Sequence, residues 1–246
     1  MAAIDDDFAK ACALVAEAAQ SGSNELSLSW LAIDRLPSGI EDLGALVELD
    51  ISETQISDLA ALSSLTNLKS FDATATEVSD ISVLAGFELL EELSVSRTKV
   101  TDLAPLQRLK NLEYLSFFDT GVRDLAPLRG LTQLVYLDFL GAPASDLSPL
   151  VGLTQLADLM FSAKVFIDLS PLTQMRKMER LVLSGEGISD IRPLAGMTKL
   201  KDLAIYEAEV ADISTLAGLT ELNRLRLEAK NLTDGSSLAE LKNLTE

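Results

Sequence analysis

The chain has no histidine, a single cysteine, a single tryptophan, and 20 basic residues against 38 acidic ones, for a formal net charge of −18. Without histidine there is no imidazole base, no histidine metal ligand and no Ser-His-Asp or Cys-His pair. With Cys12 alone there is no internal disulfide, which sets the chain apart from the stapled frameworks of small secreted domains. The acidic balance works against partners held by their phosphates, so neither nucleic acid nor an anionic membrane surface is expected. No apolar run approaches the roughly 20 residues that span a bilayer. The opening MAAIDDDFAK sets three aspartates where a secretory leader carries positive charge. These features predict a cytoplasmic protein in a reducing compartment. Neither GxGxxG nor GxxxxGK[ST] occurs, so no nucleotide is expected, and no cofactor or metal.

What the sequence does have is a period. Aspartate recurs at Asp58, Asp80, Asp102, Asp124, Asp146, Asp168, Asp190, Asp212 and Asp234, every step being 22 residues. On the same period run the apolar pairs Leu49/Ile51, Phe71/Ala73, Leu93/Val95, Leu115/Phe117, Leu137/Phe139, Leu159/Phe161, Leu181/Leu183, Leu203/Ile205 and Leu225/Leu227, with Leu26/Leu28 opening the series. A third column is Leu68, Leu90, Leu112, Leu134, Leu156, Met178, Leu200, Leu222 and Leu244. Self-similarity of this kind predicts a solenoid in which each turn buries its apolar face against its neighbours. Period-2 alternation sends Leu115 and Phe117 inward while Tyr114, Ser116 and Phe118 face out, as in a strand with one face inward. Asp124-Leu-Ala-Pro-Leu128 and its equivalents read as a capped helical turn on the return side, where Pro127 is tolerated because first-turn amides need no partner.

The segments LKNLEYLSFFDTGVRDLAPL and LTQLVYLDFLGAPASDLSPL resemble the leucine-rich repeat LxxLxxLxLxx(N/T)x(I/L)xDLxPL, in the 22-residue bacterial form seen in internalins. The likeness covers about residues 24–246. It implies an α/β fold: a right-handed leucine-rich-repeat solenoid of about ten repeats, with a parallel concave β-sheet and short helical or 3-10 turns on the convex side. It also implies binding of macromolecules rather than catalysis. The ladder position often held by Asn in that family is Thr54, Thr76, Thr98 and Thr120 here, then Ala142, Lys164, Glu186, Ala208 and Lys230, which predicts a looser or water-bridged second half. The opening NELSLSWLAIDRLPSGIEDLGALVELDIS is similar to the first repeats preceding GTPase domains in bacterial Roco proteins. That likeness implies a second reading, a sensor segment of a larger signalling protein, and a host-directed effector is a third.

Residues 1–23 are expected to form a capping helix, with Phe8, Cys12, Val15 and Ala19 at helical spacing and Ser21-Gly22-Ser23 ending it. At the other end, Leu241 to Glu246 stop within a repeat without a polar closing element, which predicts continuation, cover by a partner, or end-to-end self-association. The aspartate row has two readings, a calcium ladder or a repeated cap. The residues that follow each Asp, apolar and then often Pro, favour the cap.

The candidate binding residues are the outward positions Tyr114, Phe118, Tyr136, Leu140, Met160, Val182 and Tyr206. One strand apart from each other, they are expected to form an apolar patch for a protein partner. The alternative is cross-strand packing that only stabilises the sheet. Glu25, Glu48, Asp50, Glu53, Asp72 and Glu92 precede the patch, while Arg180, Arg224 and Arg226 follow it among Asp202, Glu207 and Glu228, an arrangement suited to a partner with a basic rim. Trp30 is read either as a further contact or as packing beneath the cap. Paired carboxylates are plentiful, but nothing predicts a deep pocket that would dry them, so no enzyme is expected.

Overall fold

A computed structural model describes residues 2–245, with side chains described from Asp6 onward. Met1 and Glu246, the outer limits of the expected helix and repeat regions, lie outside the described residues. The chain divides into two compact units after Val122.

The first unit opens with α1 (Ala2–Ser21), which ends in a Schellman turn: Gly22 is left-handed at φ 66° and the Ser23 amide donates to the Ala18 carbonyl at 3.1 Å. The face that α1 buries is Ala11, Val15 and Ala18, whereas Cys12 and Ala19 are exposed. This corrects the expected face by about one position. Small alanines let the helix approach closely, and contacts at its edge hold the rotation: Asp7 Oδ2 accepts the Ala32 amide at 2.8 Å, and the Arg35 guanidinium lies 4.1 Å above the Phe8 ring. Trp30 is not under this helix. It is 75% exposed and left-handed at φ 62°.

Five parallel strands follow in chain order: β1 (Glu25–Ser27), β2 (Glu48–Asp50), β3 (Ser70–Asp72), β4 (Glu92–Ser94) and β5 (Tyr114–Ser116). The second unit repeats the plan with β6 (Tyr136–Phe139), β7 (Asp158–Ser162), β8 (Arg180–Ser184), β9 (Asp202–Ala208) and β10 (Arg224–Ala229). The register keeps the sequence period, pairing Leu49 with Phe71, Leu159 with Leu181, and Leu181 with Leu203. The inward pairs of both units are buried up to Leu203/Ile205, while Leu225 and Leu227 are half-buried. Within the second unit Phe139 and Phe161 stack, with ring centroids 5.4 Å apart and planes at 9°.

Three strands end at a local side-chain bond. Asp50, Asp72 and Asp138 each turn a carboxylate oxygen onto the amide two residues on, at 2.9, 2.7 and 3.0 Å, and the strand stops at or just beyond that residue. Met160, Val182 and Ala204 occupy the same register position and cannot do this; β7, β8 and β9 run on for five to seven residues.

Each return is a short 3-10 turn such as Ala104–Arg108 or Ala126–Gly130, closed by bonds like Leu128 N–H to Leu125 O at 2.9 Å. The aspartate row caps these turns one residue earlier than an ordinary helix cap. All nine carboxylates accept the amide two residues on, from Asp58 with Ala60 to Asp234 with Ser236, at 2.8–3.0 Å. Thr54, Thr76, Thr98 and Thr120 are buried, and each donates its hydroxyl to the carbonyl three residues back in its own turn, at 2.5–2.7 Å. In the second unit Ala142 and Ala208 fill this position with buried methyl groups, while Lys230 and Glu186 pair with each other outside.

These caps make the fold acid-sensitive. For Asp80, Asp146, Asp212 and Asp234 the serine amide two residues on, followed by that serine's hydroxyl, holds the carboxyl below its ordinary 3.8; for Asp168 the Ser170 hydroxyl leads. Arg192 draws Asp190 down to about 2. A carboxyl depressed in the folded state stabilises it above its unfolded value, and that stabilisation disappears as pH falls through the folded value. The melting temperature should therefore hold down to about pH 4 and fall steeply between about pH 4 and 2. A melt at pH 2 as high as one at pH 5 would remove the caps from this account.

Candidate protein-binding face

A parallel stack in register turns each outward strand position into a row of side chains about 4.8 Å apart. In the second unit the first row is Tyr136, Asp158, Arg180, Asp202 and Arg224. The second is Asp138, Met160, Val182, Ala204 and Arg226; a third contains Ser162, Ser184 and Tyr206.

The first row neutralises itself. Arg180 lies 3.5 Å from Asp158 and 3.9 Å from Asp202, and Arg224 bonds Asp202 at 3.0 Å. Asp158 is the strained member: its Oδ1 is buried without a hydrogen-bond partner. Burial pushes its carboxyl up, against the pull of the Arg180 charge.

The second row supplies an apolar floor of Met160, Val182 and Ala204, at 7%, 8% and 3% exposure, with Tyr136, Leu140 and Tyr206 half-buried against it. Five of the seven expected residues thus come together. Met160 and Val182 do not stand open as expected: the larger side chains at the ends of neighbouring rows pack over them, so these two act as a floor. Tyr114, at the start of β5, is exposed, and Phe118, two residues past its end, is half-buried; both belong to the first unit. Sequence reasoning passed over Ala204 because alanine is small, and Asp138 because an aspartate is not expected to be buried. Counting 22 residues on from Val182 finds the first, and 22 back from Met160 finds the second.

The face of the first unit is different in kind. Its rows are Glu25, Glu48, Ser70, Glu92 and Tyr114, and Ser27, Asp50, Asp72, Ser94 and Ser116. Hydroxyls link neighbouring turns, Thr74 with Ser94 at 2.6 Å and Ser96 with Ser116 at 2.7 Å. A shallow groove of about 480 Å³ runs over Glu25, Glu48, Asp50 and Asp72 with no basic residue in its lining. Among the described residues no group of histidine, cysteine and acidic side chains is placed to hold a metal ion, and no helix is long and apolar enough to cross a membrane.

No protein-family profile matches the chain, and no curated protein matches it in sequence. Solved structures do. An internalin (InlF) of Listeria monocytogenes is similar over 97% of this chain and 79% of its own, with 25% sequence identity and a TM-score of 0.81. A leucine-rich-repeat protein of Leptospira interrogans covers 90% of this chain and 59% of its own, at 21% identity and a TM-score of 0.83. The plant peptide hormone receptor RGFR1, solved in complex with RGF2, covers 90% of this chain and 37% of its own, at 17% identity and a TM-score of 0.70.

Proposed function

For a chain that is a leucine-rich-repeat protein, built of 22-residue turns like those of bacterial internalins, we propose the role of a non-catalytic module that grips a partner protein on the outward face of its sheet. The observation that carries this reading is the cluster of Met160, Val182 and Ala204 walled by Tyr136, Leu140 and Tyr206. It lies on the face turned away from the leucine core. Folding one turn of a solenoid does not require such a cluster; an anchoring surface does, since aromatic and Met side chains dominate the centres of protein interfaces. Tyr114 and Phe118 extend the same chemistry in the first unit. The flanking charges of the first row are paired among themselves, so contact there costs little desolvation of unpaired charge. A neighbour of the same fold, a plant peptide hormone receptor solved in complex with RGF2, supports this use of the scaffold. The acidic groove over Glu25, Glu48, Asp50 and Asp72 supports a partner with a basic rim.

Tyr136→Glu tests the reading. The charge falls on the wall of the apolar cluster but outside the core, so the circular dichroism spectrum and melting point should stay nearly as they are. Affinity for a partner isolated by capture on the wild-type chain should drop by about a hundredfold, or roughly 2.7 kcal/mol. Undiminished binding would move the site elsewhere.

A further inference from the structure

One edge of the second unit is built unlike the others. In regular turns the residue just past the strand donates its amide to the next turn's carbonyl, as Glu53 does to Thr74 at 2.8 Å and Arg97 to Phe118 at 2.8 Å. Two residues later a second amide reaches back to the previous turn, as Gln55 does to Ile33 at 2.8 Å, Lys99 to Val78 at 2.8 Å and Glu209 to Ile188 at 2.9 Å. Both bonds change between residues 141–145 and 162–165. Gly141 donates to the Ser162 hydroxyl at 3.0 Å instead of a carbonyl. The Val165 amide makes no bond to the Ala144 carbonyl. The two turns part here, leaving a cleft of about 270 Å³ lined by these segments and Arg123.

Two features of the cleft suit a ligand. At its mouth Val165 is 62% exposed and the adjoining Phe166 72% exposed. Phe166 holds the position that Val78, Val100, Val122, Ile188 and Val210 fill as fully buried residues, and in this turn Ile167 is buried in its place. The second feature is charge. Arg123 and Lys164 line the cleft, and no acidic residue does, in a chain with net charge −18. Neither cation has an ion pair or side-chain hydrogen bond among the described residues. The capping aspartates nearest to them in sequence, Asp124 and Asp168, already hold the amides of Ala126 and Ser170.

We propose that this cleft is a second docking site, distinct from the apolar face, for an extended acidic segment of a partner protein. A carboxylate of that segment meets Arg123 and Lys164, and a neighbouring apolar side chain covers Val165 and Phe166. Paired, exposed cations would leave nothing for an anion to neutralise; here both are available and beside uncovered apolar surface. The chain's overall negative charge keeps highly charged polyanions away and favours a short acidic sequence presented locally.

A random twelve-residue peptide display library selected on the full chain tests the proposal. Recovered peptides should be rich in Asp and Glu next to apolar residues. Their affinity, read by fluorescence anisotropy, should fall roughly tenfold or more in an Arg123→Glu, Lys164→Glu double variant and remain unchanged in Tyr136→Glu. Phe166→Ser, a change at an exposed position that leaves the charges in place, should weaken the same peptides, so the result does not depend on the double variant folding. The proposal falls if no peptide is recovered, if those recovered lack acidic residues, or if they bind the double variant and Phe166→Ser as well as wild type. It falls equally if Tyr136→Glu alone abolishes binding, which would assign the peptides to the apolar face, or if a twelve-residue oligothymidylate occupies the cleft where peptides do not.

Discussion

Phe139→Ala should destabilise the protein by about 3–5 kcal/mol, the range for deleting a fully buried aromatic ring. Phe139 is fully buried and stacked on Phe161 at 5.4 Å. In a globular core, neighbours from several directions collapse into such a void. In a stack of turns each residue has support only from its own turn and the two beside it, so relaxation is limited and the cavity persists. Urea unfolding should show a lower midpoint. Hydrogen exchange should show lost protection concentrated in the strands β6, β7 and β8 rather than spread evenly. A loss below about 1 kcal/mol would mean that the two rings are not the packed pair described here.

Gly187→Ala should cost about 3 kcal/mol or more by overpacking. A Cβ at Gly187 would lie 1.8 Å from the Val165 carbonyl oxygen and 2.4 Å from its carbon. Those are backbone atoms, which cannot step aside as the end of a flexible side chain can. The same glycine bonds Ala163 through its amide at 2.9 Å and accepts the Ile167 amide at 3.2 Å, so displacement of the 163–167 segment also strains the turn that carries Phe166. Gly218→Ala is the control. Its Cβ would meet nothing within 4 Å, and the substitution should be neutral or stabilising by about 0.4–1 kcal/mol, through the entropy of the unfolded chain. Thermal melts of the two variants side by side check both; equal melting points would contradict the close approach at Gly187.

The period made the fold readable. A leucine every 22 residues beside an alternating strand pair and a capping aspartate specifies one turn, and the same solution repeats with only nearest-neighbour contacts to satisfy. The cap at Asp124 and its eight equivalents is a bond within three residues, so local sequence contains all of it. The candidate face was legible by the same counting, because rows on a parallel sheet are residues one period apart: Tyr136, Met160, Val182 and Tyr206 meet where the spacing puts them.

Burial was less legible, since it depends on the size of what stands one strand away. Cys12 and Ala19 share a helical spacing with Val15, yet Ala11 and Ala18 are the ones buried, because contacts of Asp7 and Phe8 with Ala32 and Arg35 decide the helix rotation. Phe166 occupies an inward position by count, but Ile167 takes the interior, in a turn whose Val165 amide makes no bond to the Ala144 carbonyl.

By itself, then, the sequence determined the repeating turn, its core columns, its caps and the rows on its sheet, all of them set by short-range bonding and a fixed period. Only the tertiary structure decided which outward residues are floor and which are wall, where neighbouring turns separate, and which apolar side chains are left in water. Those outcomes follow from volumes and hydrogen bonds shared between residues 22 apart, and no single turn contains that information.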